Sequence, residues 1–284
     1  MGTTHGFNDG DFGRWQTLDV GMSKTCDGGD PTSYLHVLMT QERDVRAGSK
    51  FQLAYAAIQN RTGAAAFVGI GVRIPIAAWT AGQWVHATTT YTADTTDAQD
   101  RTGAGDFPLE TTTINDGFCV FADRPFNCLS LDVSTASVGA ATERSIFYSA
   151  AGAWKALPNI ATCLPQTAGQ NYAIQEHIAL WVPPADWVVS TGAEGTNVPV
   201  GKYGINIRAS AAATTAGKAD SLSVHRMYWF VEGLADNSIA SIELGGMYAP
   251  LELAGEALTA VVVNAAGTTP TMGSRVTCLA RARG

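Results

Sequence analysis

Charge is what this sequence has least of. Only 15% of its residues are charged, and lysine occurs just five times, at Lys24, Lys50, Lys155, Lys202 and Lys218. An ordinary soluble domain carries about 25% charge. The vacated positions are taken by Thr, Ala, Gly and Ser, as in the stretch Ala87-Thr88-Thr89-Thr90-Tyr91-Thr92-Ala93. Charge keeps isolated proteins apart, so a surface this poor in it suits a chain that sits against neighbours. The balance is also acidic, with a net charge of −7 and a pI near 5.2. Phosphate binding needs a basic face or arm, so nucleic acid is not expected as a partner. Residues 1–30 make the same point: Arg14 and Lys24 stand against Asp9, Asp11, Asp19, Asp27 and Asp30.

Long apolar runs are missing too. The longest low-polarity stretch, 63–79, is broken by Arg73 and Pro75 and is too short for a helix that crosses a bilayer. No membrane partner is expected. The start, Met1-Gly2-Thr3-Thr4-His5-Gly6-Phe7, lacks the basic and apolar regions of a secretion signal. Synthesis in a cytoplasm is the expectation.

The sequence is equally short of the spacings that carry chemistry. Its histidines, His5, His36, His86, His177 and His225, form no H-x-H or H-x-x-x-H pair. The five cysteines, Cys26, Cys119, Cys128, Cys163 and Cys278, form no C-x-x-C, so no zinc site is expected. Cys119 and Cys128 flank a segment that reads as a hairpin. Buried free thiols are expected there, with a cross-strand disulfide as the alternative. No G-x-S-x-G, phosphate-binding loop or dinucleotide fingerprint is present. Asn8-Asp9-Gly10-Asp11 and Asp27-Gly28-Gly29-Asp30 depart from the calcium-loop pattern and read as turns. Glu176 and His177 adjoin in a strand, where successive side chains face opposite sides, so they do not share a site. No catalytic residue, cofactor or metal is expected.

What is present is strand signal. Phe51, Leu53, Tyr55 and Ala57 alternate with Gln52, Ala54 and Ala56, a period of two. Further strands are expected at 34–39, 66–74, 83–92, 118–121, 129–133, 145–148, 174–182, 203–209, 222–232, 239–244, 258–263 and 276–280. Gly/Asp/Asn/Pro clusters punctuate them. Many short strands with such punctuation predict an all-β fold of sandwich or jelly-roll type. The expected organisation is an N-terminal arm (1–30) and two β lobes (31–150 and 151–284), or one continuous β domain, with any join at 149–171. A weak echo between the segments that start at Gly82 and Gly201 raises duplication as an alternative to chance similarity.

The aromatics read as core or subunit-interface anchors. Phe7, Phe12 and Trp15 lie on a Gly/Asp-rich arm, and large apolar groups on such an arm often dock onto a neighbour. With Tyr91 and Trp229 they are the expected interface residues.

In its Ala/Thr-rich strands, as at 87–93 and 209–216, and its few lysines, the chain resembles virion structural proteins of tailed bacteriophages. The resemblance is one of overall style and implies a non-enzymatic subunit of a virion. It would contact its own copies, as a trimer for instance, and other virion proteins. An outer-surface decoration role is favoured, with jelly-roll capsid subunit and tail component beside it. Two alternatives from other classes stand: a carbohydrate- or receptor-binding β-sandwich module, and a β-sandwich hydrolase with widely separated carboxylates.

Overall fold

The computed structural model describes residues 15–20, 35–39, 50–59, 66–101, 106–139, 144–158, 160–162, 172, 176–235, 237–248, 251–254, 257–264 and 275–283. The first strands are β1 (Gln16–Val20), β2 (Leu35–Met39), β3 (Lys50–Gln59) and β4 (Ala66–Pro75). Then follow β5 (Trp79–Val85), β6 (Thr90–Ala93), the short helix α1 (Thr95–Gln99), β7 (Phe107–Pro108), β8 (Gly117–Ala122) and β9 (Cys128–Thr135). Next come β10 (Val138–Gly139), β11 (Arg144–Ala150), β12 (Ala153–Ala156), β13 (Ile160–Thr162), β14 (Glu176–Trp181), β15 (Tyr203–Ala209) and β16 (Ala213–Thr215). The last are β17 (Lys218–Leu234), β18 (Ile239–Glu243), β19 (Leu251–Ala254), β20 (Ala257–Asn264) and β21 (Arg275–Arg283). The fold is all-β, and every strand pairing given below is antiparallel.

The chain divides into two compact units. One comprises Met1–Asp27, Pro31–Ile74 and Met227–Gly284, the other Gly28–Asp30 and Pro75–Arg226. In sequence, the second unit is therefore largely an insertion into the first. The expected join at 149–171 falls inside the second unit.

In the first unit β3 is the central strand, pairing with β21, β18 and β19, while β1 pairs with β21. β20 lies between β2 and β4. The expected arm thus contributes a paired strand at 16–20. Register along β3 is not uniform. Leu279 opposes Tyr55 and Ala280 opposes Leu53, so Ala54 is an extra residue in a bulge. A bulge reverses which side chains face in. Leu53 is buried before it, and Ala54, Ala56 and Ile58 after it, while Tyr55 and Ala57 turn outward. Buried Gln52 ties three strands: its Nε2 donates to Glu252 (2.8 Å) and its Oε1 accepts from Arg281 (2.7 Å). The Arg281 guanidinium lies 4.5 Å from the centre of the Trp15 ring.

The second unit is a sandwich. One sheet has the order β12-β11-β15-β8-β5-β6 and the other β13-β14-β9-β17, with β7 also on β17. Phe118, Val120, Ile146, Ile205 and Ile207 from the first sheet pack with Leu129, Leu131, Trp181, Leu222 and Val224 from the second. The 83–92 stretch, expected as one strand, is instead a hairpin. Val85 pairs with Thr90 across a turn at 86–89, where Thr89 has φ 49°. Asp116 fixes this turn by accepting from the His86 N–H (2.8 Å). Cys119 and Cys128 lie on β8 and β9, which belong to different sheets, and both are buried thiols outside any disulfide. The echoing segments do not mark separate lobes. β5 and β15 flank β8 in one sheet.

An ion pair is sealed into this unit. Arg144 on β11 donates to Glu110 at 2.5 Å, with side chains 1% and 0% exposed. Glu110 also accepts from the Gly217 N–H (3.2 Å), and the guanidinium stacks 4.6 Å from the Tyr172 ring centre. Tyr172 and Ser137 exchange hydrogen bonds at 2.8 and 3.0 Å. Removing one partner of a buried pair leaves the other charge without its counterion. The Glu110→Ala variant should therefore lose about 3–5 kcal/mol in urea denaturation. A loss below about 1 kcal/mol, the size seen for surface pairs, would contradict this role.

Candidate functional site

The second face of the six-stranded sheet is covered by an irregular segment, residues 187–201. Its backbone is tied down almost residue by residue. The Ser190 N–H donates to Lys202 O (2.7 Å) and the Gly201 N–H to Ser190 O (2.8 Å). Ser190 Oγ donates to Pro199 O. The Thr196 N–H donates to Thr89 O (2.8 Å), and Thr196 O accepts from the Tyr91 N–H (2.9 Å). The buried Glu194 carboxylate accepts from the N–H groups of Thr191, Gly192 and Gly152 at 2.9–3.1 Å. Gly195 permits the closest approach, since a Cβ there would stand 2.4 Å from Thr89 O and 2.7 Å from the Trp84 ring.

Beneath this strap lies an aromatic layer of Trp84, Tyr91, Phe121 and Cys119, which Val198 of the strap joins, with Trp154 packed against it. Strand register explains the grouping. Arg208, Gly117, Trp84 and Tyr91 form one row across β15, β8, β5 and β6. Phe147, Asn206, Cys119 and Gly82 form the next row across β11, β15, β8 and β5. Trp84 and Trp154 meet edge to face, with ring centres 5.9 Å apart. The Arg208 guanidinium lies over Phe147 (4.4 Å) and Trp84 (5.3 Å). Asn206 is fully buried at the floor of the layer. Burial is also the main reason that the Tyr91 phenol is pushed up to about 12.

Asn206 and Arg208 were not singled out from the sequence. Tyr203-Gly-Ile-Asn-Ile-Arg-Ala209 alternates polar with apolar, which is the pattern of a strand with one face in water. The strap turns that outer face into an interior.

Of the expected interface residues, Trp15, Tyr91 and Trp229 are among those described. Phe7 and Phe12 lie outside the described residues, as do His5 and the two Asp/Gly turns. Trp15 is half-buried beside Arg281. Tyr91 is 2% exposed, because its side of β6 faces the strap, so its ring serves the interior of this chain. Trp229 belongs to β17, with its side chain outside the described residues. Trp84, Trp181 and Trp187 are core residues, and His177 and His225 are buried. Among the described residues no three or more His, Cys, Asp or Glu are arranged to hold a metal. No helix among them is long and apolar enough to cross a membrane.

The outside of the strap region is apolar. Val188 and Val189 are 42% and 37% exposed, and Val200, across the Ser190–Gly201 clip, is 68% exposed. Val182 precedes them at 53%. No family model, curated protein or solved structure matches the chain.

Acidic groups meet elsewhere in this unit. Asp132 on β9 pairs in register with Ser221 on β17, next to Asp220. Partial burial, then the like charges of Asp106 and Asp132, raise the Asp220 carboxyl above its usual range. A folded-state pKa above the unfolded value contributes stability at low pH, which is lost as pH rises through the folded value. At neutral pH the ionised Asp220 is therefore unfavourable. Asp220→Asn should raise the urea midpoint at pH 7, and its advantage should shrink as pH falls towards about 3.9, the ordinary aspartate value. An advantage independent of pH would contradict this assignment.

Proposed function

We propose that the chain is a non-enzymatic structural subunit of a large protein assembly that acts through contacts with its own copies and with neighbouring subunits. The observation that carries this reading is an exposed apolar patch on a chain in which only 15% of the residues are charged. Val182, Val188, Val189 and Val200 stand in solvent, the last three around a hydrogen-bonded clip that holds the backbone still. Exposed apolar groups that cluster in this way mark protein–protein contact surfaces.

Tailed-phage virion proteins are the class whose style the sequence shares. Within that class the acidic balance favours a decoration subunit on the outer surface of a shell over one that faces a genome. The mechanism is burial of apolar and Thr-rich surface between subunits, without chemical turnover. The all-β sandwich suits this role because its strands set rigid loops at fixed positions.

Native mass spectrometry and sedimentation of the full chain test the reading. Defined oligomers are expected, and Val188→Asp combined with Val200→Asp should shift them towards monomer while leaving the circular dichroism unchanged. A monomer at all concentrations up to the millimolar range, or oligomers indifferent to both substitutions, would contradict it.

A further inference from the structure

The two edges of the six-stranded sheet are not treated alike. At one end β6 is covered: Thr196 O takes the outward Tyr91 N–H, and Thr90 bridges to Thr196. At the other end β12 is the last strand of the sheet. Its pairing with β11 shows which backbone groups look outward. Ala150 opposes Ala153 across the two-residue turn Ala151-Gly152, whose φ angles of 49° and 89° are those of the tight hairpin turn that matches strand twist. The Leu157 N–H donates to Ile146 O (2.8 Å), and bonded and non-bonded positions alternate along an antiparallel pair. Lys155 therefore turns its backbone groups to β11, while the N–H and C=O of Trp154 and Ala156 point away from the sheet. Nothing among the described residues pairs with those outward groups. Ala153, Lys155 and Ala156 are exposed, and Trp154 is half-buried.

We propose that β12 is a docking edge for a second copy of this chain, which pairs with it antiparallel about a two-fold axis at Lys155 and continues the sheet from one protomer into the next. A two-fold contact uses the same patch on both copies, and this edge is complementary to itself. The register sets Trp154 of each copy opposite Ala156 of the other, so that every outward N–H meets an outward carbonyl. Sliding by one pair of residues spoils the match. One direction sets Ala156 against Gly152 in the turn, and the other sets Trp154 against Pro158, which has no N–H to give. Charge agrees with the same axis. An edge lysine normally keeps other strands away, because like charges directly opposite destabilise a pair. Here the Lys155 ammonium is already engaged by Asp186 (2.7 Å), which also accepts from the Tyr148 hydroxyl (2.8 Å). Both members of the ion pair are more than half exposed, so the axis gathers two ammoniums and two carboxylates with no net charge. Ser149, opposite Trp154 on β11, donates to Val188 O (2.8 Å), which puts the exposed valines beside this edge. The inference rests on the assembly reading and names one of its partners, a second copy.

Cysteine cross-linking in the full chain tests the pairing. Facing residues at a non-bonded position of an antiparallel pair have Cα atoms about 4.5 Å apart, within reach of a disulfide. Lys155→Cys combined with Asp186→Asn, which leaves the axis uncharged, should therefore form a covalent dimer under mild oxidation. Ala153→Cys should not, because this register separates the two copies of that residue by about 13 Å. The wild-type chain under the same oxidant gives the background. Ala156→Pro removes one outward N–H from each copy, and with it two of the four bonds across the axis. It should weaken self-association in sedimentation by about tenfold or more and leave the circular dichroism unchanged, since that N–H serves no bond within the chain. A Lys155→Cys chain that stays unlinked, or links no faster than Ala153→Cys, overturns the proposal, and so does a folded Ala156→Pro chain that associates like wild type. Oligomers that dissociate on Val188→Asp with Val200→Asp but never link at position 155 overturn the edge pairing alone. A chain that stays monomeric overturns both readings.

Discussion

The constraint on which the second unit depends is that β8 has no outside. All six of its residues are buried. Phe118, Val120 and Ala122 face the sandwich core, while Cys119 and Phe121 face the other way. A sheet with apolar side chains on both faces must be covered on both to remove them from water. The second sheet covers one face. The strap at 187–201 covers the other, and because it is not a strand its polar backbone needs individual partners. That requirement accounts for the Glu194 carboxylate among three N–H groups, for the Ser190 clip and for the Thr196 bridge to the β5–β6 turn. The inner side of the same segment closes the aromatic layer, and its outer side presents the valines.

The strands were legible because period-two alternation and turn residues are local properties. The 203–209 strand matches β15 at both ends, and 239–244 and 66–74 differ from β18 and β4 by one residue. What was not legible depends on distant partners. The bulge at Ala54 is created by the register of β21, and nothing near Tyr55 announces that its face is reversed. Thr-rich 86–89 looks extended until Asp116 binds its backbone. β15 alternates like a half-solvated strand, and only the strap, which ends just before it in sequence, makes Asn206 and Arg208 interior. Tyr91, a large aromatic, fits a core position as well as an interface by residue type alone, and only the strap decides for the core.

The scarcity of charge has a physical counterpart in the fold. Glu110 and Arg144 are spent on each other inside the sandwich, Asp116 and Glu194 on backbone N–H groups, and these uses rigidify loops. The remaining surface can meet another protein with few charges to desolvate, which is the expensive part of association.

The decisive measurement concerns the strap, because both the apolar outer patch and the polar inner layer exist only if it is held closed. Amide hydrogen exchange resolved to single residues compares Ser190, Thr196 and Gly201 with Val120 of β8. Strap amides protected in the same opening class as β8 are expected, since opening the strap exposes Trp84 and Phe121. Strap amides that exchange like free chain while β8 stays protected would contradict the two-sided burial from which the whole unit has been explained.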